Sequence, residues 1–291
     1  YYTTILEVPE GIGSAQLNGC WTAPADAWSI AGTGGTSNNI TYLRGIGKPY
    51  YNMYIYKYGG VDPASGLPLI ASTVSSTNID NLKKTSGNVY GDIVEGNTVY
   101  TTDYTLATRQ EFGDATPDFI GGFGTSLKWK NLDFSAQFAF QIGGKFLSVA
   151  DANHYYRSDQ TGYYHMSADL KGNTFTASNT GARYPMVILN NPNSNGYTGG
   201  STIGSWAYTD MALYSASYLN VKNLTLGYNF PQKWMDKIGI GGIRVYASLD
   251  NMWLICRNGI DPRNSIVGGF DVGGFTYPMM RSCSLGVNVT F

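Results

Sequence analysis

Apolar and polar residues alternate with a period of two at the end of the chain. Met279, Arg281, Cys283, Leu285, Val287, Val289 and Phe291 share one parity, and Met280, Ser282, Ser284, Gly286, Asn288 and Thr290 share the other. One face is apolar and the other small and polar, as in a strand that separates two different solvents. The pattern recurs upstream. Phe119, Phe123, Leu127 and Trp129 stand against Gly122, Gly124, Ser126, Lys128 and Lys130. After a tight turn near Asn131, Leu132, Phe134, Ala136, Phe138, Phe140 and Ile142 stand against Asp133, Ser135, Gln137, Ala139, Gln141 and Gly143. Residues 216–230 and 243–254 alternate in the same way. Burying the polar faces in a sandwich core would leave amides unpaired at roughly 1–3 kcal/mol each. A water-filled lumen removes that cost, so the pattern predicts a transmembrane antiparallel β-barrel, with Trp129 in an interfacial belt.

The connections alternate in length. Residues 59–117, 148–214 and 255–278 read as long external loops, whereas the turn near Asn131 and residues 231–242 are short. Barrels of the outer membrane have this asymmetry. Seven segments read as strands, at residues 1–8, 50–58, 119–130, 132–143, 216–230, 243–254 and 279–291. Seven do not close well, and an open edge in lipid leaves backbone groups unsatisfied. Either residues 9–49 hold a further strand or the chain is one arc of a larger barrel; the second reading is favoured, and the expected fold class is all-β, an arc of about 7–8 strands from a larger transmembrane barrel.

Composition agrees. Charged residues make up 13% and aromatics 14%, with 23 Tyr and 37 Gly, a balance shared by outer-membrane barrels and by secreted β-proteins such as lectins. A formal net charge of −1 gives a nucleic-acid partner no electrostatic support. No apolar run reaches the length of a transmembrane helix, which strands do not need. Residues 1–4 show neither a basic start nor an apolar signal core, as expected of a mature chain or a piece of a longer one. Cys20, Cys256 and Cys283 are an odd set without metal-type spacing.

Several runs resemble the C-terminal barrel region of SusC/RagA-type TonB-linked outer-membrane proteins. They are Gly47-Lys48-Pro49-Tyr50-Tyr51 leading to Gly59-Gly60-Val61-Asp62-Pro63, then Thr116-Pro117-Asp118-Phe119, residues 216–228, Arg244-Val245-Tyr246-Ala247-Ser248, Gly259-Ile260-Asp261-Pro262-Arg263, and Pro278 before the last strand. The set spans residues 47–291 in the family's order. The resemblance implies a 22-stranded barrel in the cell outer membrane, an N-terminal plug, and a SusD-like surface lipoprotein as lid. It implies TonB-powered import of glycans or oligopeptides, and SusC–SusD-like pairs that can dimerise. Lipid and lipopolysaccharide would surround the barrel. Plug and TonB box have no counterpart in these residues, so contact with TonB would run through the missing plug. Residues 1–291 are expected to be the barrel's C-terminal third.

Candidate chemistry is sparse. His154 and His165 share one loop without a nucleophile motif, so no catalytic residue and no enzyme activity is expected. Asp62, Asp118, Asp261 and Asp271 would suit calcium, but none follows an EF-hand spacing; turn formation accounts for them, and no cofactor or metal is expected. The loop aromatics Tyr155, Tyr156, Trp206, Phe270, Phe275 and Tyr277, with Tyr163 and Tyr164, offer flat faces for substrate, for one another or for a lid. Arg281 lies on the apolar parity near the external strand end, where an arginine costs about 0–1 kcal/mol and meets lipid headgroups. Two other readings stay open: a passive porin or structural barrel, and a secreted β-sandwich that binds carbohydrate.

Overall fold

The computed structural model describes residues 4–7, 20–24, 41–86, 92–95, 98–103, 106–148, 151–152, 167–187, 209–263, 266–267, 269–271 and 279–291. In chain order its first strands are β1 (Cys20–Pro24), β2 (Thr41–Gly45), β3 (Asn52–Tyr56), β4 (Tyr58–Val61) and β5 (Pro68–Ser72), followed by helix α1 (Ser76–Ser86). Next come β6 (Asp92–Glu95), β7 (Thr98–Thr101), β8 (Arg109–Asp114), β9 (Phe119–Trp129), β10 (Leu132–Ile142) and β11 (Lys145–Leu147). The last part holds β12 (Leu213–Ser215), β13 (Tyr218–Asn229), helix α2 (Gln232–Ile238), β14 (Gly242–Cys256), β15 (Ile266–Val267), β16 (Phe270–Asp271) and β17 (Ser282–Thr290).

The long alternating segments build one five-stranded antiparallel sheet in the order β17-β14-β13-β10-β9. Its registers put like with like. Phe134 faces Leu226 and Leu127, while Ser135 faces Thr225 and Ser126; directly opposed residues share a face. At Lys222, β13 carries an extra residue relative to β10, and β14 answers with Asn251 in a left-handed conformation, φ 52°. The extra residue switches the apolar positions of β13 from even to odd numbers and so keeps the face: Val221, like Leu224, lies on the apolar side, opposite Phe138 and Trp253. The apolar face is bare. Leu285 is 82% exposed and Trp129 70%, and Phe123 stacks on Phe138 with centroids 4.7 Å apart. An apolar face of this extent marks a surface built to be covered.

The other sheets gather at the end where β9 begins and β10 finishes. Their orders are β1-β2-β3-β8, β4-β5-β7-β6 and β12-β11-β16-β15, antiparallel except where β11 meets β16 at Leu147 and Phe270. Their shared core is drawn from distant segments: Tyr42, Met53, Ile55, Ile70, Leu147, Ala152, Leu170, Tyr184 and Ala212 are all buried. The segments read as long loops thus fold into a packed layer with its own core, which offsets the entropy of ordering so much connecting chain.

Two of the seven expected strands fall outside the large sheet. Residues 50–58 divide into β3 and β4, which pair in different sheets. The tyrosine alternation there was legible, but Tyr54 and Tyr56 are only half-buried, and it is Met53 and Ile55 on the opposite parity that enter the core. Of residues 1–8, the described part shows one bridge, Thr4 to Pro49.

Candidate functional site

The polar face of the large sheet is a hydrogen-bonded surface. Near the turn end, Arg244 on β14 grips Asp133 on β10 with two nitrogens, Nη2 to Oδ2 at 2.5 Å and Nε to Oδ1 at 3.2 Å. Such forked pairs fix geometry as well as charge. Asn229 Nδ2 donates to the same carboxylate at 3.0 Å, and the guanidinium lies 5.1 Å from the Tyr246 ring centre. Glycine makes the room. A Cβ at Gly227 would stand 2.5 Å from Arg244 Nη2, and one at Gly286 would stand 2.3 Å from Tyr246 Cζ. Further along, Asn223 Nδ2 donates to Asp250 Oδ1 at 2.6 Å and to Ser248 Oγ at 2.9 Å, while Ser282 Oγ donates to Asp250 Oδ2 at 3.2 Å.

Where this face meets the packed layer there is a cleft of about 590 Å³. Asp118 and Gly143 continue the inward parity of β9 and β10, and Asp118 N donates to Ile142 O at 3.0 Å. Gly143 and Gly144 both have positive φ, 79° and 74°. A side chain at Gly143 would strike the Asp118 carboxylate, with a Cβ 2.0 Å from Oδ2, so the sharp exit of β10 requires glycine there. Gly143 N donates to Ser217 Oγ at 3.0 Å, and Gln141 Nε2 to Ala216 O at 3.0 Å, tying β10 to the entry of β13. Into the cleft come two carboxylates, Asp114 and Asp118, two cations, Lys145 and Arg257, and the hydroxyls of Thr116, Tyr214 and Ser215. Lys145 Nζ donates to Phe112 O at 2.5 Å, Asp114 Oδ1 accepts from Thr116 N at 3.0 Å, and Tyr214 donates to the Asp151 carboxylate. The lining is charged in both signs, with Leu213 as its apolar contribution.

A smaller hollow of about 320 Å³ lies among Tyr58, Gly60, Ala182, Arg183, Asp210 and Met211. Asp210 Oδ1 accepts from Tyr58 N at 2.7 Å, and burial holds the Asp210 carboxyl above its ordinary value.

Of the aromatics singled out in the sequence, Tyr155, Tyr156, Tyr163, Tyr164, Trp206, Phe275 and Tyr277 lie outside the described residues, as do His154 and His165. Phe270 is placed by its backbone in β16, paired with Val267 and Leu147. Asp62 is buried and caps its own turn, accepting from Ala64 N and Ser65 N. Asp261 is forked by Arg263, Nε at 2.9 Å and Nη2 at 2.7 Å. Among the described residues no group of three or more His, Cys, Asp and Glu is placed to hold a metal. Asp114, Lys145, Tyr214 and Arg257 went unnoticed in the sequence; the signal was the Thr116-Pro117-Asp118 and Gly143-Gly144 punctuation flanking one hairpin.

No protein-family model matches the chain. It is 27% identical over 256 residues to TonB-dependent receptor P3 of Formosa agariphila, covering 84% of this chain and 22% of that protein. It is 29% identical over 181 residues to TonB-dependent receptor SusC of Bacteroides thetaiotaomicron, covering 60% of this chain and 15% of that protein. The chain therefore spans about a fifth or less of the length of these relatives. Among solved structures, the RagAB peptide transporter superposes with a TM-score of 0.60 at 22% identity, over 90% of this chain and 24% of that one. The RagAB peptide importer in its closed-closed state also gives 0.60 at 22% identity, over 91% and 25%. Sequence relatives named as TonB-dependent receptors, SusC among them, and a fold like that of RagAB bear out the resemblance carried by the strand pattern: the chain is similar to a fifth or so of a TonB-dependent receptor of the SusC/RagA type.

Proposed function

We propose that this chain forms barrel wall and external layer in an outer-membrane importer of nutrients driven by TonB. The observation that carries the reading is the five-stranded sheet with a bare apolar face and a hydrogen-bonded polar face. Lipid covers the first and a wet lumen the second. The relatives' names support TonB dependence and a role other than catalysis. In this reading a SusD-like lipoprotein closes over the external layer, and substrate passes by the cleft at the lumen's mouth as the plug rearranges. Energy arrives through the plug, from TonB.

Oligopeptide is the substrate class that fits the cleft best. Lys145 and Arg257 beside Asp114 and Asp118 match the termini and mixed charges of short peptides by charge pairing, which a neutral glycan would meet with hydrogen bonds alone. RagAB is described as a peptide transporter, which supports the same choice. The test is uptake of labelled oligopeptides and labelled glycans by cells carrying the intact receptor, with and without TonB. Peptide uptake that stops without TonB and falls severalfold in an Asp118→Asn, Arg257→Gln variant is the expected result. Uptake indifferent to TonB would establish a passive porin instead, and glycan uptake alone would overturn the peptide assignment.

A further inference from the structure

The short connection between β13 and β14 carries an unexplained surface. Helix α2 buries Met235, but Trp234 is 55% exposed and Ile238 58%. These two residues are one helical turn apart and share a face. That face continues the bare side of the large sheet. Tyr228 is on the apolar parity, opposite Leu132 and Val245; its ring meets Phe230 edge-on at 5.3 Å, and Phe230 meets Trp234 at 6.3 Å. The aromatic line thus runs without a break from strand to helix. Cations flank it. Lys233 and Lys237 are exposed on α2, and across the sheet at the same end Lys130 holds its ammonium 5.1 Å over the Trp129 ring. Asp236 on the helix is engaged by Gln232 Nε2 at 3.0 Å. Gly239 ends the helix in a left-handed conformation, φ 69°, its N–H donating to Met235 O, which turns the chain back into β14.

We infer that α2 is a membrane-surface helix that seats the turn end of the barrel wall in the phospholipid headgroup region of the inner leaflet. Trp234 and Ile238 enter the boundary between headgroups and acyl chains, and Lys233, Lys237 and Lys130 face lipid phosphates. Amphipathic aromatics with flanking lysines suit that depth. The occupant follows from continuity: a face contiguous with a lipid-covered one meets the same bilayer, at its polar margin. The inference rests on the outer-membrane reading above.

Spin labels at single cysteines in the intact, reconstituted receptor, in a cysteine-free background, test it. The positions are Trp234→Cys, Ile238→Cys, Asp236→Cys and, as a wall control, Leu285→Cys. Collisions with oxygen should exceed those with a water-soluble nickel chelate at 234, 238 and 285, and the order should reverse at 236. Water-like signals at 234 and 238 with a lipid-like 285 would overturn this inference alone. Protection from both reagents at 234 and 238 would overturn it too, because protein would then cover the helix. A water-like 285 would overturn the membrane reading itself. Ile238→Cys leaves the Phe230–Trp234 contact intact and carries the test by itself if Trp234→Cys does not fold.

Discussion

A missing methyl group at Gly286 gives the Tyr246 ring its place on the polar face, since a Cβ there would lie 2.3–2.5 Å from ring atoms. Gly286→Ala should therefore destabilise the wall by about 1–3 kcal/mol through overpacking. Adding Tyr246→Ala should recover part of that loss, because the two changes share one contact. Urea unfolding in detergent, followed by tryptophan fluorescence, gives the comparison; strictly additive losses would show that the ring does not lie over the glycine. A second residue-scale effect belongs to the external layer. Lys48 Nζ donates to Glu111 Oε1 at 2.5 Å and Asn52 Nδ2 to Oε2 at 2.7 Å. The Lys48 hydrogen bond, working against burial, holds the Glu111 carboxyl below its ordinary value. The folded value being the lower, this stabilisation is complete above the unfolded value of about 4.3 and is lost as pH falls through the folded one. Glu111 is 42% exposed at its side chain, so solvent screening limits the pair to within about 1 kcal/mol. Hydrogen exchange in β3 and β8 should loosen on acidification in the wild type; Glu111→Gln should be loosened already at neutral pH and lose this acid response.

At the scale of the strand, β17 offers a direct comparison of the two faces. Leu285 near its middle points to the apolar side and Ser284 to the polar side, opposite Ala247 and Ser248. Leu285→Arg should cost about 2–4 kcal/mol of folding into lipid vesicles, as for a cation near the midplane, and Ser284→Arg much less. Retention of the compact form on unheated gels reports both, and equal losses would mean that the faces do not meet different solvents. This difference of solvents is also why the large sheet was legible in the sequence. Phe134, Phe138 and Phe140 against Ser135, Gln137 and Gln141 leave no freedom of register, since a slip by one residue inverts every side chain. The external layer was not legible because its strands are short and several are buried on both sides; all of β5 is buried, which erases the alternation. The cleft was less legible still. Asp114, Lys145, Tyr214 and Arg257 come from β8, β11, β12 and the residue after β14, and only the folded layer brings them together.

At the scale of the whole molecule, the decisive fact is that the large sheet does not close among the described residues. Among the described residues β9 and β17 are its edges, and neither pairs with a further strand along its outer side. In water such edges invite pairing with other chains; in hydrocarbon each unpaired backbone group costs several kcal/mol, which the bilayer cannot relieve. The exposed apolar face demands lipid, so the edges demand strands. We expect both to be closed by strands of the same receptor, which makes the wall's insertion inseparable from the rest of the barrel. Residues 1–291 produced alone and refolded into detergent should therefore form mixed oligomers, joined edge to edge, with no compact monomer on unheated gels. The intact receptor should migrate as a compact form that shifts on heating. A compact, heat-modifiable monomer from residues 1–291 alone would mean that the sheet closes on itself, with strands drawn from the external layer, and the arc reading would fall while the lipid-facing assignment of Leu285 stood.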